Sequence, residues 1–300
     1  MLNKNGKEPN RDQQQKIKDM ASNEILLTYN IRNKHCIKMF GYFAVDEGTC
    51  IVLELALGCD LDNLTTKFYN NKLFMKNNKC KANKDEICEE EKWANCMSDN
   101  VVRYFFMQIL NALDYLKNLN LIHRDLNLSN VILTKNYIVK LGDYGFSKMI
   151  RPEETFKCVE TWPEGEKVYT APEIFQNKVL KNEEILKIDI YSLGICLLKM
   201  LTGNLILLEK FFREEEEKFK IEDLKPQDKE KFIQKLKEII KPENLLENIE
   251  ISRENVSEDL KKLIAGLTSF DEKNRWDLYK IKENNWLNEN SKIIKSIIKG

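Results

Sequence analysis

Neither sign of charge is in surplus in this chain: lysine plus arginine and aspartate plus glutamate each number 48 in 300 residues, so the formal net charge is zero. That balance argues against a basic face built to hold nucleic acid. No apolar run approaches the roughly 18–20 residues that span a bilayer. The opening "MLNKNGKEPNRDQQQK" is polar throughout, unlike a secretory leader. Eight cysteines contain no CxxC pair, and although Cys80, Cys88 and Cys96 recur every eight residues, free thiols in a reducing compartment fit this usage better than a metal or disulfide cluster. No internal repeat is visible. These absences point to an intracellular, cytoplasmic chain with no membrane segment and no nucleic-acid partner; they leave the oligomeric state open.

What remains is an ordinary globular composition, 42% hydrophobic and 32% charged, long enough for one large domain or two lobes. Residues 11–31 carry a helical pattern ending in "NEILLTYNI". "CIKMFGYF" (36–43) and "TCIVLELAL" (49–57) read as two strands around the turn "VDEG". "GCDLDNL" is a break and a helix start. Residues 69–96 lose periodicity and are rich in Lys, Asn and Glu, as in a solvated insertion. Ser98 is a suitable N-cap for a helix whose Val102, Phe105, Phe106, Ile109, Leu113 and Leu116 form one apolar stripe, which is core packing. "VILT" and "YIVKL" around "KN" make a short hairpin, after which the chain reads helical to its end. "DIYSLGICLLKMLTG" is apolar nearly all round, the mark of a buried helix, and the charged stretch 206–250 reads as an exposed helical excursion.

Set among these elements is a sparse series of polar landmarks: Glu24, "HRDLNLSN" (123–130), "GDYG" (142–145), "APE" (171–173), Asp189 and Arg275 in "FDEKNRW". Moving a phosphoryl group needs hard oxygen ligands for magnesium, a carboxylate to orient the nucleophilic hydroxyl and take its proton, and cations around the developing charge. Asp125, Asn130 and Asp143 supply the first two within one loop–hairpin–loop unit. Each tripeptide alone is common; together, in this order, they are specific.

From about residue 1 to 288 the chain resembles the eukaryotic protein kinases, on "HRDLNLSN", "GDYG", "APE", "DIYSLG" and "FDEKNRW". The resemblance implies ATP and Mg2+ as cofactors and a protein substrate. By position, Asp125 is the expected base, Asn130 and Asp143 the magnesium ligands, and Arg124 the receiver of an activation-segment phosphate. Tyr144, His123, Thr28 and Met39 are expected to stack between the lobes. Glu54 to Ala56 would be the hinge at the adenine, Ile132 the floor beneath it, and Asp60 a ribose contact. Glu173 with Arg275 would form a buried brace, as would Asp189 at a helix start, where it also favours the dipole.

The implied fold is α+β and bilobal. A small N-lobe (1–55) would lack the first strands and the glycine-rich loop, and a large, mainly helical C-lobe (56–290) would carry solvated insertions at about 69–96 and 206–250, followed by a tail (291–300). Only Gly6 precedes Gly41 and no GxGxxG exists anywhere, so the loop that would cap the ATP phosphates is missing, and an exposed sheet edge is expected beside 36–43 and 49–55, with a remnant strand at 1–5. Lys4 is the expected partner of Glu24, with Lys7 as rival. Asn127 stands where the family carries lysine and Glu166 where serine/threonine members carry threonine, so both members of one expected contact have changed, and like-charge repulsion between Glu166 and Asp125 is expected to raise a carboxylate pKa. The serine/threonine type is preferred, although "YTAPE" leans toward the tyrosine kinases. Ser129 gives no sign of a strong demand for basic substrates. Thr155 and Thr161 are candidate phosphosites. The alternative is a pseudokinase or incomplete kinase that binds or scaffolds without transfer.

Overall fold

The computed structural model describes residues 22, 24–45, 48–78, 97–151, 155–158, 166–181, 183–221, 224–252 and 256–288. The N-terminal part begins with helix α1 (24–28), followed by a hairpin of β1 (Met39–Val45) and β2 (Gly48–Leu53). Its antiparallel register runs from Met39 opposite Leu53 to Val45 opposite Gly48. Among the described residues these two strands pair only with each other, and Phe40, Tyr42 and Phe43 stand more than half exposed. The expected strand at 1–5, with Lys4, lies outside the described residues, as do Cys80, Cys88 and Cys96. The cysteines that are described at positions 36, 50, 59, 158 and 196 are free thiols.

The strand expected from residue 36 starts three residues later. Cys36 and its neighbours turn the other way, forming a parallel bridge to Leu141: Ile37 N–H donates to the Leu141 carbonyl at 2.8 Å and Leu141 N–H to the His35 carbonyl at 2.8 Å. This stitches the small part onto the hairpin of β4 (Val131–Leu133) and β5 (Val139–Leu141), the one anticipated around "KN". Beyond β2 the chain crosses to the same hairpin. Gly58 N–H donates to the Leu133 carbonyl at 2.8 Å, and a Cβ at Gly58 would lie 2.5 Å from that oxygen, so only glycine permits the approach.

Helix α2 (Leu61–Asn78) then runs ten residues into the stretch read as a structureless insertion. Loss of amphipathic pattern does not stop a helix already nucleated, since each further residue adds one bond for one residue fixed. Helix α3 (Asp99–Asn118) buries Val102, Phe105, Phe106, Ile109, Leu113 and Leu116 as expected, but Ser98, at its N-cap position, makes no side-chain cap bond.

The expectation that only helices follow β5 needs correction. Two small antiparallel pairs are present: β3 (Leu121–Ile122) with β6 (Lys148–Met149), and β7 (Thr155–Lys157) with β8 (Val179–Lys181). Strands of two or three residues carry no readable alternation, and their pairing is set by distant chain. Between β7 and β8 lies the short helix α4 (Pro172–Phe175), with proline in its first turn.

Helix α5 (Glu183–Thr202) is the centre of the C-terminal part, buried continuously from Ile188 to Thr202 and packed on α3, on α8 (Pro242–Ser252) and on α9 (Glu258–Leu267). The excursion at 206–250 is helical, as α6 (Ile206–Lys218), α7 (Pro226–Ile239) and α8, but it is not simply exposed. Phe211, Phe212 and Phe232 gather round Phe175 with ring centroids 5.1–6.1 Å apart, burying one face of α6 and α7 against the segment of "APE". Short helices α10 (Leu278–Lys282) and α11 (Asn285–Asn288) close the described chain. No single described helix is long and apolar enough to cross a membrane.

Candidate active site

His123 to Asn130 leave the core directly after β3 and return to it as β4. The loop is held from below by α5: the Asp189 carboxylate accepts the N–H of His123 at 2.7 Å and of Arg124 at 2.8 Å. These bonds hold Arg124 at φ 69°, a left-handed conformation that a non-glycine residue adopts only when its surroundings impose it. Asp189 performs the expected brace but not from the helix start. Glu183 opens α5, so Asp189 lies in its second turn, beyond the stretch where the dipole argument applies. Burial pushes its carboxyl upward, and His123 with the two donated N–H groups pulls it back.

Within the loop, His123 Nε2 faces the Gly142 carbonyl at 3.0 Å, while Nδ1 accepts the Asp125 N–H at 3.3 Å. A carbonyl can only accept, so the proton sits on Nε2. Asp125 is held by two amides. Asn130 Nδ2 donates to its Oδ2 at 2.8 Å and to its backbone carbonyl at 2.8 Å; Asn127 Nδ2 donates to its Oδ1 at 3.2 Å. Asn127 Oδ1 in turn accepts the Asn130 backbone N–H at 3.1 Å, closing a ring through the three residues. The asparagine in the lysine position is therefore a scaffold for Asp125. Burial raises the Asp125 pKa; the nearby Asp143 charge adds to the rise, and the Asn130 and Asn127 bonds oppose it.

Asp143 is carried next to this ring by backbone. Gly142 N–H donates to the Asn130 carbonyl at 3.0 Å, and Asp143, at φ 60°, receives the Gly145 N–H on Oδ1 at 3.3 Å. Glu24 faces the same space: burial first, and then the Asp143 charge, raises its carboxyl pKa. Lys4 lies outside the described residues. Tyr144 beneath is fully buried, with its ring centroid 5.2 Å from that of His123 and its hydroxyl donating to the Leu141 carbonyl at 2.9 Å; Thr28 and Met39 are buried as well.

The donor set suits magnesium. With the Asn130 nitrogen committed to Asp125, its Oδ1 is the free end of the amide, and Asp143 offers a carboxylate, both hard oxygen donors. Among the described residues no group of three or more His, Cys, Asp or Glu side chains forms a metal cage.

At the expected hinge, Glu54 N–H donates to the Lys38 carbonyl at 2.7 Å, and its carboxylate pairs with Lys140 Nζ at 2.8 Å, a link to β5 that the sequence did not announce. Leu55 is exposed and Ala56 half-buried. Ile132, half-buried, forms an antiparallel bridge with Asp60. Asp60 caps α2: its oxygens accept the Asn63 N–H at 2.8 Å and Asn63 Nδ2 at 2.6 Å. A ribose hydroxyl at Asp60 would have to share those oxygens.

Glu166 and Asp125 line one small cavity with Leu126, Tyr169, Ala171 and Ile188. The Glu166 carboxyl is raised first by desolvation. Lys199 pulls it down, and Asp62 and then Asp125 push it up. Like-charge repulsion from Asp125 is thus a lesser contribution than expected, and the like charge acting on Asp125 is that of Asp143. The sequence reading missed Lys199, whose ammonium pairs with Asp62 at 2.6 Å. The available signal was a lone lysine inside an apolar helix, which requires a partner. Ser192, one turn beyond Asp189, donates to the Tyr169 carbonyl at 2.8 Å and ties the same wall to α5. Because the folded Glu166 carboxyl titrates above its unfolded value, stability falls as pH rises from the unfolded value through the folded one. Glu166→Gln is expected to flatten that decline as pH rises above the ordinary carboxylate value in urea titrations; an unchanged slope would assign the decline elsewhere.

Glu173 and Arg275 meet as expected: Nη1–Oε1 is 2.7 Å and Nη2–Oε2 2.9 Å, with neither side chain exposed.

The sequence as a whole matches known proteins on the same lines. The family model described as the protein kinase domain matches residues 4–287. Serine/threonine-protein kinase SIK1 of Mus musculus is 37% identical over 109 residues, covering 36% of this chain and 13% of the relative. Serine/threonine-protein kinase PAK 1 of Mus musculus is 26% identical over 192 residues, covering 64% of this chain and 29% of the relative. The matched stretches thus span less than a third of either relative. With the family model covering nearly the whole chain and the loop, ion pair and buried helix arranged as described, the chain belongs to the protein kinase family.

Proposed function

We propose that the chain transfers the γ-phosphate of ATP to a serine or threonine hydroxyl of a protein substrate, with Asp125 as general base. The observation that carries this reading is the double amide clamp on Asp125. Each carboxylate oxygen accepts one bond, from Asn130 and Asn127, which fixes the carboxylate plane and leaves further acceptor sites toward solvent for a substrate hydroxyl. Asn130 and Asp143 would hold magnesium, which when bound neutralises phosphate charge. The backbone from Glu54 to Ala56 would meet the adenine, Ile132 would lie beneath it, and Asp60 would reach the ribose. The serine/threonine preference draws on the names of the relatives. An intracellular setting and a protein partner follow from the same family.

Asn127 favours one second reading. It orients Asp125 but brings no cation to the transferred phosphate, and loss of one charge-stabilising donor is worth about 10²–10³ in rate. A chain that binds ATP and magnesium without transfer would be a pseudokinase acting as a binding module. Transfer of labelled phosphate from ATP to a mixed protein substrate, measured beside thermal shift with ATP and Mg2+, separates the two: label on serine or threonine supports the first, and a shift without label supports the second.

The clamp also sets a pH dependence. Removing a bond that lowers the Asp125 pKa lets burial and Asp143 raise it further, so Asn127→Ala is expected to move the acid limb of the rate profile to higher pH. A profile that keeps its acid limb while losing amplitude would mean Asn127 has no electrostatic effect on the base.

A further inference from the structure

Two cations of the site converge on one ring. The Arg124 guanidinium lies 5.5 Å from the centroid of Phe156, and Lys148 Nζ lies 5.2 Å from it, both within the range of cation–π attraction. Arg124 belongs to the loop that carries Asp125. Lys148 belongs to β6, five residues after Asp143. Phe156, 1% exposed, is the middle residue of β7, held opposite Leu180 of β8. The Cys158 N–H continues the pairing by donating to the Lys178 carbonyl at 2.9 Å.

We propose that Phe156 is a positioning residue: its ring occupies the place where an activation-segment phosphate would meet Arg124, so the segment is ordered against the catalytic loop without phosphorylation. Strand alternation sends Phe156 inward and Thr155 and Lys157 outward, and both of the latter are exposed. A phosphate on Thr155 would therefore sit on the face away from Arg124. Thr161, the other candidate, lies outside the described residues. An enclosed guanidinium stacks readily on an aromatic face, being planar and weakly hydrated. Burial lowers the Arg124 pKa, which is the signature of a cation taken out of water; an electron-rich ring is a partner that this environment accommodates. Unlike a phosphate, the ring cannot be removed by a phosphatase, and one ring joins β7 to the stretches that hold both Asp125 and Asp143.

The test reads amide hydrogen exchange at 155–158 and 179–181, which does not depend on phosphoryl transfer and so stands apart from the proposed activity. Phosphatase treatment of the wild-type chain is expected to leave exchange unchanged. Phe156→Leu, which keeps apolar volume but removes the ring face, is expected to speed it about threefold or more, and Phe156→Tyr to restore it. Lys148→Gln should speed exchange in the wild-type background and add little to Phe156→Leu. Faster exchange after phosphatase, or Phe156→Leu behaving as wild type, overturns the proposal. Where Phe156→Leu lowers the global thermal midpoint sharply, Arg124→Gln and Lys148→Gln decide, since both leave the ring in place: accelerated local exchange supports it and unchanged exchange overturns it.

Discussion

Arg275→Ala is expected to destabilise the protein by about 3–5 kcal/mol, the usual result of leaving a buried charge without its partner. Both side chains of the Glu173 pair are fully buried, so no water replaces the guanidinium. Arg275 also donates to the Lys187 carbonyl at 2.6 Å and to the Ser269 carbonyl at 3.0 and 3.1 Å, and its guanidinium lies 5.1 Å from the Tyr191 ring centroid. Truncation orphans a carboxylate and removes the bonds to two carbonyls at once. Glu173→Ala removes fewer bonds and should fall at the lower end of the range. The double variant should lose less than the sum, because neither charge is then stranded. Urea unfolding with unchanged slope checks the size; a loss below about 1 kcal/mol would show that the pair is no brace.

Asp125→Asn is expected to lower phosphoryl transfer by about 10²–10⁴, the span of general-base catalysis, while nucleotide binding and thermal stability stay close to wild type. Asparagine keeps the shape and the acceptor for Asn130 Nδ2 but cannot take a proton. Asp143→Asn should act differently: it removes a hard anionic ligand, so the magnesium dependence of nucleotide binding should weaken along with transfer. Single-turnover rates and thermal shifts with and without Mg2+ distinguish the two. Full transfer by Asp125→Asn would end the assignment of the base. Magnesium-dependent binding that survives in Asp143→Asn would end that of the metal ligand.

Some of this was legible from the residues alone. "HRDLNLSN", "GDYG" and "DIYSLG" are short and polar or apolar without ambiguity, and the Asp125 bonds to Asn127 and Asn130 lie within one of them. The Glu173–Arg275 pair, 102 residues apart, was reached only through resemblance. Much of what escaped depends on long-range meetings that local pattern cannot encode. Strands β3, β6, β7 and β8 are two or three residues each. The Glu54–Lys140 and Asp62–Lys199 pairs join residues with no common motif. Asn127 was read as a lost cation, whereas its amide now has a task, visible only once the loop curls Asp125 back toward it. Asp189 was placed at a helix start because "DIYSLG" begins the apolar run, yet the less apolar "EEILKI" before it also joins the helix.

Helix α5 meets the His123–Asn130 loop at Asp189, the wall of the small Asp125–Glu166 cavity at Ser192, and the Asp62–Glu166 charges at Lys199. Ten residues of helix separate the first contact from the last, about 15 Å along one rigid axis. The helix is thus a measuring rod on which the Asp125 loop, cavity wall and charge cluster are mounted at fixed intervals. Loops around it can change length without altering the spacing of these contacts. A single residue inserted between Asp189 and Lys199 would turn one mount by about 100° relative to the other. The tolerance of this architecture therefore lies in its loops, and its tuning lies in the buried helix behind them.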